Sequence, residues 1–172
     1  MNKNLLLVDL KDPKKIACIA SEEAHFTSIV SWFNNAKAFT SWAGPQLSFV
    51  KEPSILRKVI TKGSYLSYSL LYLDSDHEVL LGFGQIQLWP ERAHLGRLVI
   101  SPYFRGKGLS YQLVNQLIEI AVAKQHIKLI SLFVYDDNKV AKHSYSMLGF
   151  SPAPYPKNVT PVKNCTFMTL RY

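Results

Sequence analysis

Two periods of apolar and polar positions run along this chain, and the switches between them outline its elements. Residues 15–20, KIACIA, alternate as a strand edge does. SEEAHFTSIVSWF follows, with Ser21 placed as a helix N-cap, Glu22 and Glu23 in the first turn, and Phe26, Ile29, Val30 and Phe33 at spacings of three and four. These spacings predict a helix ending near Asn34 or Asn35, its apolar stripe facing the core or a substrate cleft. A loop containing TSWAGP is expected next, then a short helix opened by Pro53 and closed by Gly63. SYLSYSLLYL and EVLLGFGQIQLW read as an antiparallel hairpin across DSDHE, and AHLGRLVI as the strand after it.

From Leu109 to Lys124 the pairs Leu113 and Leu117, Val114 and Ile118, and Leu117 and Ala121 recur at i, i+4 and leave Gln112, Asn115, Gln116 and Glu119 outside. That is a helix with one wide face on a sheet. KLISLFVY is nearly continuous apolar, the pattern of a central strand buried on both faces, and NKVAKHSYSMLGF returns to helical spacing with a stop at Gly149. Proline-rich SPAPYPKNVTP breaks the pattern before a last strand, CTFMTLRY.

A length of 172 residues, 48% of them apolar and 19% charged, suits one globular domain with its own core. Cys18 and Cys165 have no CxxC spacing, so no disulfide framework is expected, and the five histidines, without paired ligand spacing, give no metal site. The apolar run in MNKNLLLVDLKD is too short for a signal or a membrane span, which leads to the expectation of a soluble, cytoplasmic protein. The net charge of +8 points to an anionic partner. Its basic residues are scattered, with no block of five or six and no base-reading motif, so no specific nucleic acid is expected.

One stretch carries a sharper signal. In LGRLVISPYFRGKGLSYQL a strand ends at Ile100 and a helix starts about Leu109, with Arg105, Gly106, Lys107 and Gly108 between them. Free backbone N–H groups at a positive helix end, glycines that allow close approach and two added cations make an anion site suited to a pyrophosphate. Read alone, the same residues also describe a plain tight turn. Neither GxxxxGK[ST] nor GxGxxG fits, since no third glycine follows Gly106 and Gly108 at the required spacing.

The pattern that fits is R-x-x-G-x-[G/A], in Arg105, Gly108 and Ser110 after LVISP, followed about thirty residues on by VYDDNKVAKHSYSMLGF with Asn138, Ala141, Tyr145 and Gly149-Phe150. In these two segments the chain resembles the GCN5-related N-acetyltransferase (GNAT) superfamily, and SWFNNAKAFTSWAGP is similar to the N-terminal region of a bacterial branch of it. The likeness covers roughly residues 15–172 as one acetyltransferase domain and leaves residues 1–14 as a lead-in. Ser110 departs from the pattern, since glycine or alanine is usual there; phosphate affinity is the property it puts in question.

The resemblance implies an α/β (α+β) fold: a mixed, mostly antiparallel central sheet with helices on both faces and one splayed pair of strands that binds the cofactor. It implies acetyl-CoA as co-substrate and direct transfer of the acetyl group to a primary amine of a small molecule, peptide or protein. On that reading the main chain of Leu98, Val99 and Ile100 pairs with the pantetheine arm. Arg105, Gly106, Lys107, Gly108, Leu109 and Ser110 cradle the pyrophosphate. Asn138 holds the arm from the second segment, with or without capping the following helix, and Tyr145 is the general acid for the departing thiolate. Backbone N–H groups of the splayed strand stabilise the oxyanion, so no nucleophilic side chain is needed. The family fixes no position for the base; Glu91 and His94, before and within the fourth strand, are the candidates. Trp32, Phe33, Phe39, Trp42 and Trp89 are candidates for lining an acceptor pocket. Two other readings stand beside this one, a CoA-binding sensor or interaction module without catalysis and a basic nucleic-acid-binding protein. Acceptor identity and the choice between monomer and homodimer stay open.

Overall fold

The computed structural model describes residues 8, 10, 12–75, 77–157 and 159–172. Most of the expected lead-in lies outside these; from Asp12, whose side chain caps a short 3-10 turn, the chain runs straight into β1 (Ile16–Ala20). Three helices follow, α1 (Glu23–Ser31), α2 (Ala36–Ala43) and α3 (Pro53–Ile60). The hairpin is β2 (Tyr65–Asp74) with β3 (His77–Trp89), and then come β4 (Arg92–Ile100), α4 (Leu109–Lys124), β5 (Leu129–Tyr135) and α5 (Lys139–Met147). The two-residue β6 (Ser151–Pro152) and β7 (Cys165–Arg171) complete the sheet.

The sheet runs β1-β2-β3-β4-β5-β7-β6, antiparallel throughout except between β4 and β5. Helices cover both faces. One face packs Leu113, Leu117 and Ala121 of α4 against Leu81, Ile86, Leu95, Ile130 and Leu132, each apolar side chain contributing about 2 kcal/mol by leaving water. The other packs Phe26 and Ile29 of α1, Phe39 of α2 and Leu56 and Ile60 of α3 against Phe83.

Three expectations need correction. TSWA is helix, not loop: Asn35 accepts from the Ala38 N–H at 2.9 Å and starts α2, and Gly44 ends it. The helix before it is shorter, capped by Glu22 instead of Ser21 and finished at Ser31, so Phe33 lies beyond it in the connection. Finally, β5 is not buried on both faces. Ile130, Leu132 and Val134 are buried, while Phe133 on the other face is half-buried among His94, Tyr155 and Phe167.

Two irregularities of β4 shape the centre of the molecule. Its pairing with β5 stops at Leu95 opposite Leu132, although both strands continue, so they part beyond that point. Its register with β3 shifts between Phe83–Val99 and Gln85–Gly96, leaving Arg97 and Leu98 opposite Gly84 alone, a β-bulge. Gly84 suits this close packing: a Cβ would lie 2.7 Å from a Leu117 methyl and 2.8 Å from a Leu98 methyl, and both side chains would have to shift.

Candidate active site

The turn between β4 and α4 brings its glycines into left-handed backbone, Gly106 at φ +75° and Gly108 at φ +76°. A Cβ at either would meet no atom within 4 Å, so the backbone there faces open space, not packed chain. That space belongs to a cleft of about 750 Å³ lined by Leu98, Val99 and Ile100 of β4, Arg105, Gly106, Gly108, Leu109 and Ser110 of the turn, and Asn138, Ser144 and Tyr145 of the second segment. Of the residues expected to hold acetyl-CoA, only Lys107 lies outside its lining, with its ammonium 5.6 Å from the Phe104 ring. The residues fit the cofactor: open glycine amides at a helix start for a pyrophosphate, and an unpaired stretch of strand for an extended amide-bearing arm.

Ser110, the departure from the family pattern, is joined to Ser144 of α5, Oγ to Oγ at 3.2 Å. The extra hydroxyl thus ties the two cofactor segments together. Asn138 caps α5, its Oδ1 accepting from the Ala141 N–H at 3.2 Å, and also lines the cleft. The capping role is seen directly, and the lining puts Asn138 beside the space where the expected cofactor contact would be made. Arg105 donates from Nε to the Ile100 carbonyl at 3.3 Å, which folds its side chain over the end of β4.

Between the parted strands lies a passage of about 100 Å³, bounded by Leu95 to Leu98 of β4, Phe133 to Tyr135 of β5, Ser41 and Trp42 of α2, Asn138 and Tyr145. Tyr145 lines both this passage and the cofactor cleft. It is buried, and loss of hydration pushes its phenol up to about 12, so it is protonated at neutral pH. On the far side two more clefts open. One runs between residues 32–42, with Trp32, Phe33, Ser41 and Trp42, and Leu98, Val99, Pro102, Arg105 and Asn138 opposite them; the other is walled by Ser41, Tyr135, Asp136, Asp137, Asn138, Lys163 and Asn164. Three of the five aromatic candidates, Trp32, Phe33 and Trp42, stand there; Phe39 is core and Trp89 lies at the other end of β4. Asp136 is held below the usual carboxylate range by Lys142 and Thr166.

Neither base candidate reaches this centre. Glu91 sits in the β3–β4 turn, seven residues or roughly 23 Å of strand from Leu98, and is exposed and ion-paired to Lys128 at 2.5 Å, which lowers its pKa. His94 points to the β5–β7 side, its Nδ1 3.0 Å from Ser131 Oγ and its ring among Trp89 and Phe133. Burial first, and the Arg97 charge second, push it down to about 4. Ser41, Ser144 and Arg97 were not singled out from the sequence. Arg97 had no local signal, because its role depends on a bulge and on helices distant in the chain.

The model of the acetyltransferase (GNAT) family matches residues 36–150. A probable spermine N(1)-acetyltransferase of Bacillus subtilis subsp. natto and a spermine/spermidine N(1)-acetyltransferase of Bacillus subtilis are each 27% identical to the chain over 113 residues, 61% of this chain and 72% of theirs. Among solved structures, a domain from Methanocaldococcus jannaschii superposes with TM-score 0.72 at 14% identity, over 92% of this chain and 99% of that one. The spermidine N-acetyltransferase from Vibrio cholerae in complex with CoA and spermine gives 0.69 at 19% identity, over 92% and 96%. At such identities the structures speak for a shared fold. With the splayed strands and the glycine turn, the family match places this chain in the GNAT acetyltransferases. It is an acetyl-CoA-dependent N-acetyltransferase, acting on an amine.

Proposed function

We propose that acetyl-CoA lies in the cleft between β4, α4 and α5, and that the amine enters from the α2 side and meets the thioester in the passage between β4 and β5. The observation that carries this reading is the passage itself, which shares Leu98, Asn138 and Tyr145 with the cofactor cleft and Ser41 and Trp42 with the clefts beyond. The pyrophosphate rests on the N–H groups of residues 105–110. The arm extends along Leu98 to Ile100, whose main chain β5 leaves unpaired.

The amine nitrogen attacks the thioester carbonyl, the C–S bond breaks after a tetrahedral intermediate, and main-chain N–H groups of the bulged strand receive the oxyanion. Tyr145 gives its proton to the departing sulfur, and its phenolate is restored to the phenol by the proton that the attacking nitrogen sheds on becoming an amide. The ammonium of the acceptor loses its proton before attack to water in the open clefts. Asp137, whose carboxylate borders one of these clefts, offers a counter-charge to a cationic acceptor. The wall supplied by residues 32–42 contains no acidic residue and so gives none. The acceptor is therefore an aliphatic amine of low charge or one with its cationic end at Asp137, and spermine, the substrate in the names of the relatives, is the first to try.

Calorimetric titration with acetyl-CoA tests the cofactor half of this reading. Gly108→Ala imposes the left-handed strain alone, whereas Gly108→Glu adds bulk and negative charge in the cradle. The natural protein and the alanine variant are expected to bind and the glutamate variant to lose at least a hundredfold in affinity. Equal loss in both variants refutes the cradle.

A further inference from the structure

We infer that Arg97 is a positioning residue for acetyl transfer, its backbone forming the bulge where β4 leaves β5 and its side chain bolting that bulge to α2. The inference rests on the placement of acetyl-CoA proposed above. Arg97 occupies left-handed backbone at φ +49°, a conformation that costs a non-glycine residue about 1–2 kcal/mol, although Gly96 stands next to it. An arginine kept in that conformation has a side chain with a task.

The task is visible in its contacts. Nε donates to the Ala43 carbonyl at 3.2 Å and Nη1 to Gln85 Oε1 at 2.6 Å, with the Ile60 carbonyl at 3.5 Å and the guanidinium 4.9 Å from the Tyr65 ring centre. Ala43 and Ile60 are the last residues of α2 and α3, so the cation meets the negative ends of two helices and needs no carboxylate. Gln85 is wholly buried, and its amide nitrogen donates to Ile60 and to Ser67 Oγ, which aims its oxygen at Arg97. From the opposite direction Trp42 Nε1 donates to the Arg97 carbonyl at 2.7 Å.

These bonds reach the chemistry through the peptide plane. The Arg97 C=O and the Leu98 N–H belong to one rigid unit, so fixing the first aims the second. Leu98 lines both the cofactor cleft and the passage. α2, which carries Ser41 and Trp42 on the acceptor side, thus sets the orientation of a main-chain donor on the acetyl side. Misplacement of about 1 Å at such a point costs on the order of a hundredfold in rate.

The test compares Arg97→Lys, Arg97→Met and Trp42→Phe with the natural protein. The readouts are thermal unfolding, titration with CoA and with acetyl-CoA, amide 15N–1H shifts of Leu98 and Val99, and turnover with spermine as trial acceptor. Arg97→Lys keeps charge and stem but loses the planar fork, and it is expected to fold and to bind CoA within threefold of the natural protein. The shift of the Leu98 amide between CoA-bound and acetyl-CoA-bound forms should collapse in all three variants. Where spermine is acetylated, kcat should fall at least tenfold with the KM for acetyl-CoA unchanged. A folded Arg97→Lys with the natural amide shift overturns the proposal, as does a loss of CoA affinity that only tracks lost stability. If the natural protein binds no acetyl-CoA, the cofactor reading falls first and the proposal with it. If it binds but leaves spermine unmodified, the amide shift still decides.

Discussion

Tyr145 of α5 and His94 of β4 are both shifted by loss of hydration, and the proposed function gives the first a part in catalysis and the second a structural one. Tyr145 borders the cleft and the passage, and burial holds its proton to about pH 12. Tyr145→Phe keeps the ring and removes only the acid, so kcat should fall about a hundredfold while acetyl-CoA affinity stays, as single-turnover and titration measurements can separate. Because its folded pKa lies above the ordinary phenol value of 10, the fold is stabilised below pH 10 relative to the phenolate and loses this between pH 10 and about 12. A falling limb in the natural enzyme's rate near neutral pH would assign the acid elsewhere. His94 shifts the other way, to about 4, and Ser131 fills its ring nitrogen. Above pH 6.5 it is neutral in folded and unfolded chains alike. As pH falls from 6.5 to about 4 the unfolded chain takes up a proton that the folded one refuses, and stability drops by an amount on the order of 3 kcal/mol. His94→Phe should flatten that acid limb of the melting temperature and leave kcat within threefold; a hundredfold loss of kcat would restore His94 as a base.

Among the elements, α4 both adjoins the proposed cofactor cradle and guards the sheet. Its Gln116 side chain accepts from the Cys18 N–H at 2.6 Å and donates to the Ile16 carbonyl at 3.2 Å, so one carboxamide fills the place of a neighbouring strand along the free edge of β1. An edge left bare is a template for another chain. Gln116→Leu should cost about 1–2 kcal/mol in denaturant unfolding and shift elution toward larger species at high concentration. Both α4 and the hairpin were readable in the sequence because their apolar periods are long, and the structure gives α4 the same limits, Leu109 to Lys124. α2 was not, because an eight-residue helix with only Phe39 and Ala43 buried carries little period; its markers were the ends, Asn35 and Gly44. The glycine turn, Asn138 and Tyr145 were legible because they follow one another at family spacing. The bulge was not: left-handed backbone at Arg97, beside a glycine free to take it, is fixed by Ala43, Ile60, Gln85 and Trp42, which no local window contains.

For the molecule as a whole, the surplus of 20 basic over 12 acidic residues suits a polyanionic co-substrate such as acetyl-CoA. In the binding proposed above, coenzyme A would bring a pyrophosphate and a further phosphate to the end of the cleft where Arg105 lies, with Lys107 close by in the chain. A net charge of +8 attracts such a ligand from a distance and adds to the affinity only while salt leaves the field unscreened. The Debye length shrinks from about 10 Å at 0.1 M salt to about 3 Å at 1 M, so long-range attraction vanishes over that interval while the backbone N–H bonds to the pyrophosphate persist. The Kd for acetyl-CoA should therefore rise on the order of tenfold between 0.05 and 1 M sodium chloride and then level off, mostly through a slower on-rate. Lys107→Ala, which lies outside the cleft lining, should reduce the salt slope without changing the plateau. A plateau that moves with Lys107 would make its ammonium a direct phosphate ligand, and a Kd indifferent to salt would leave the cradle's hydrogen bonds as the whole source of affinity.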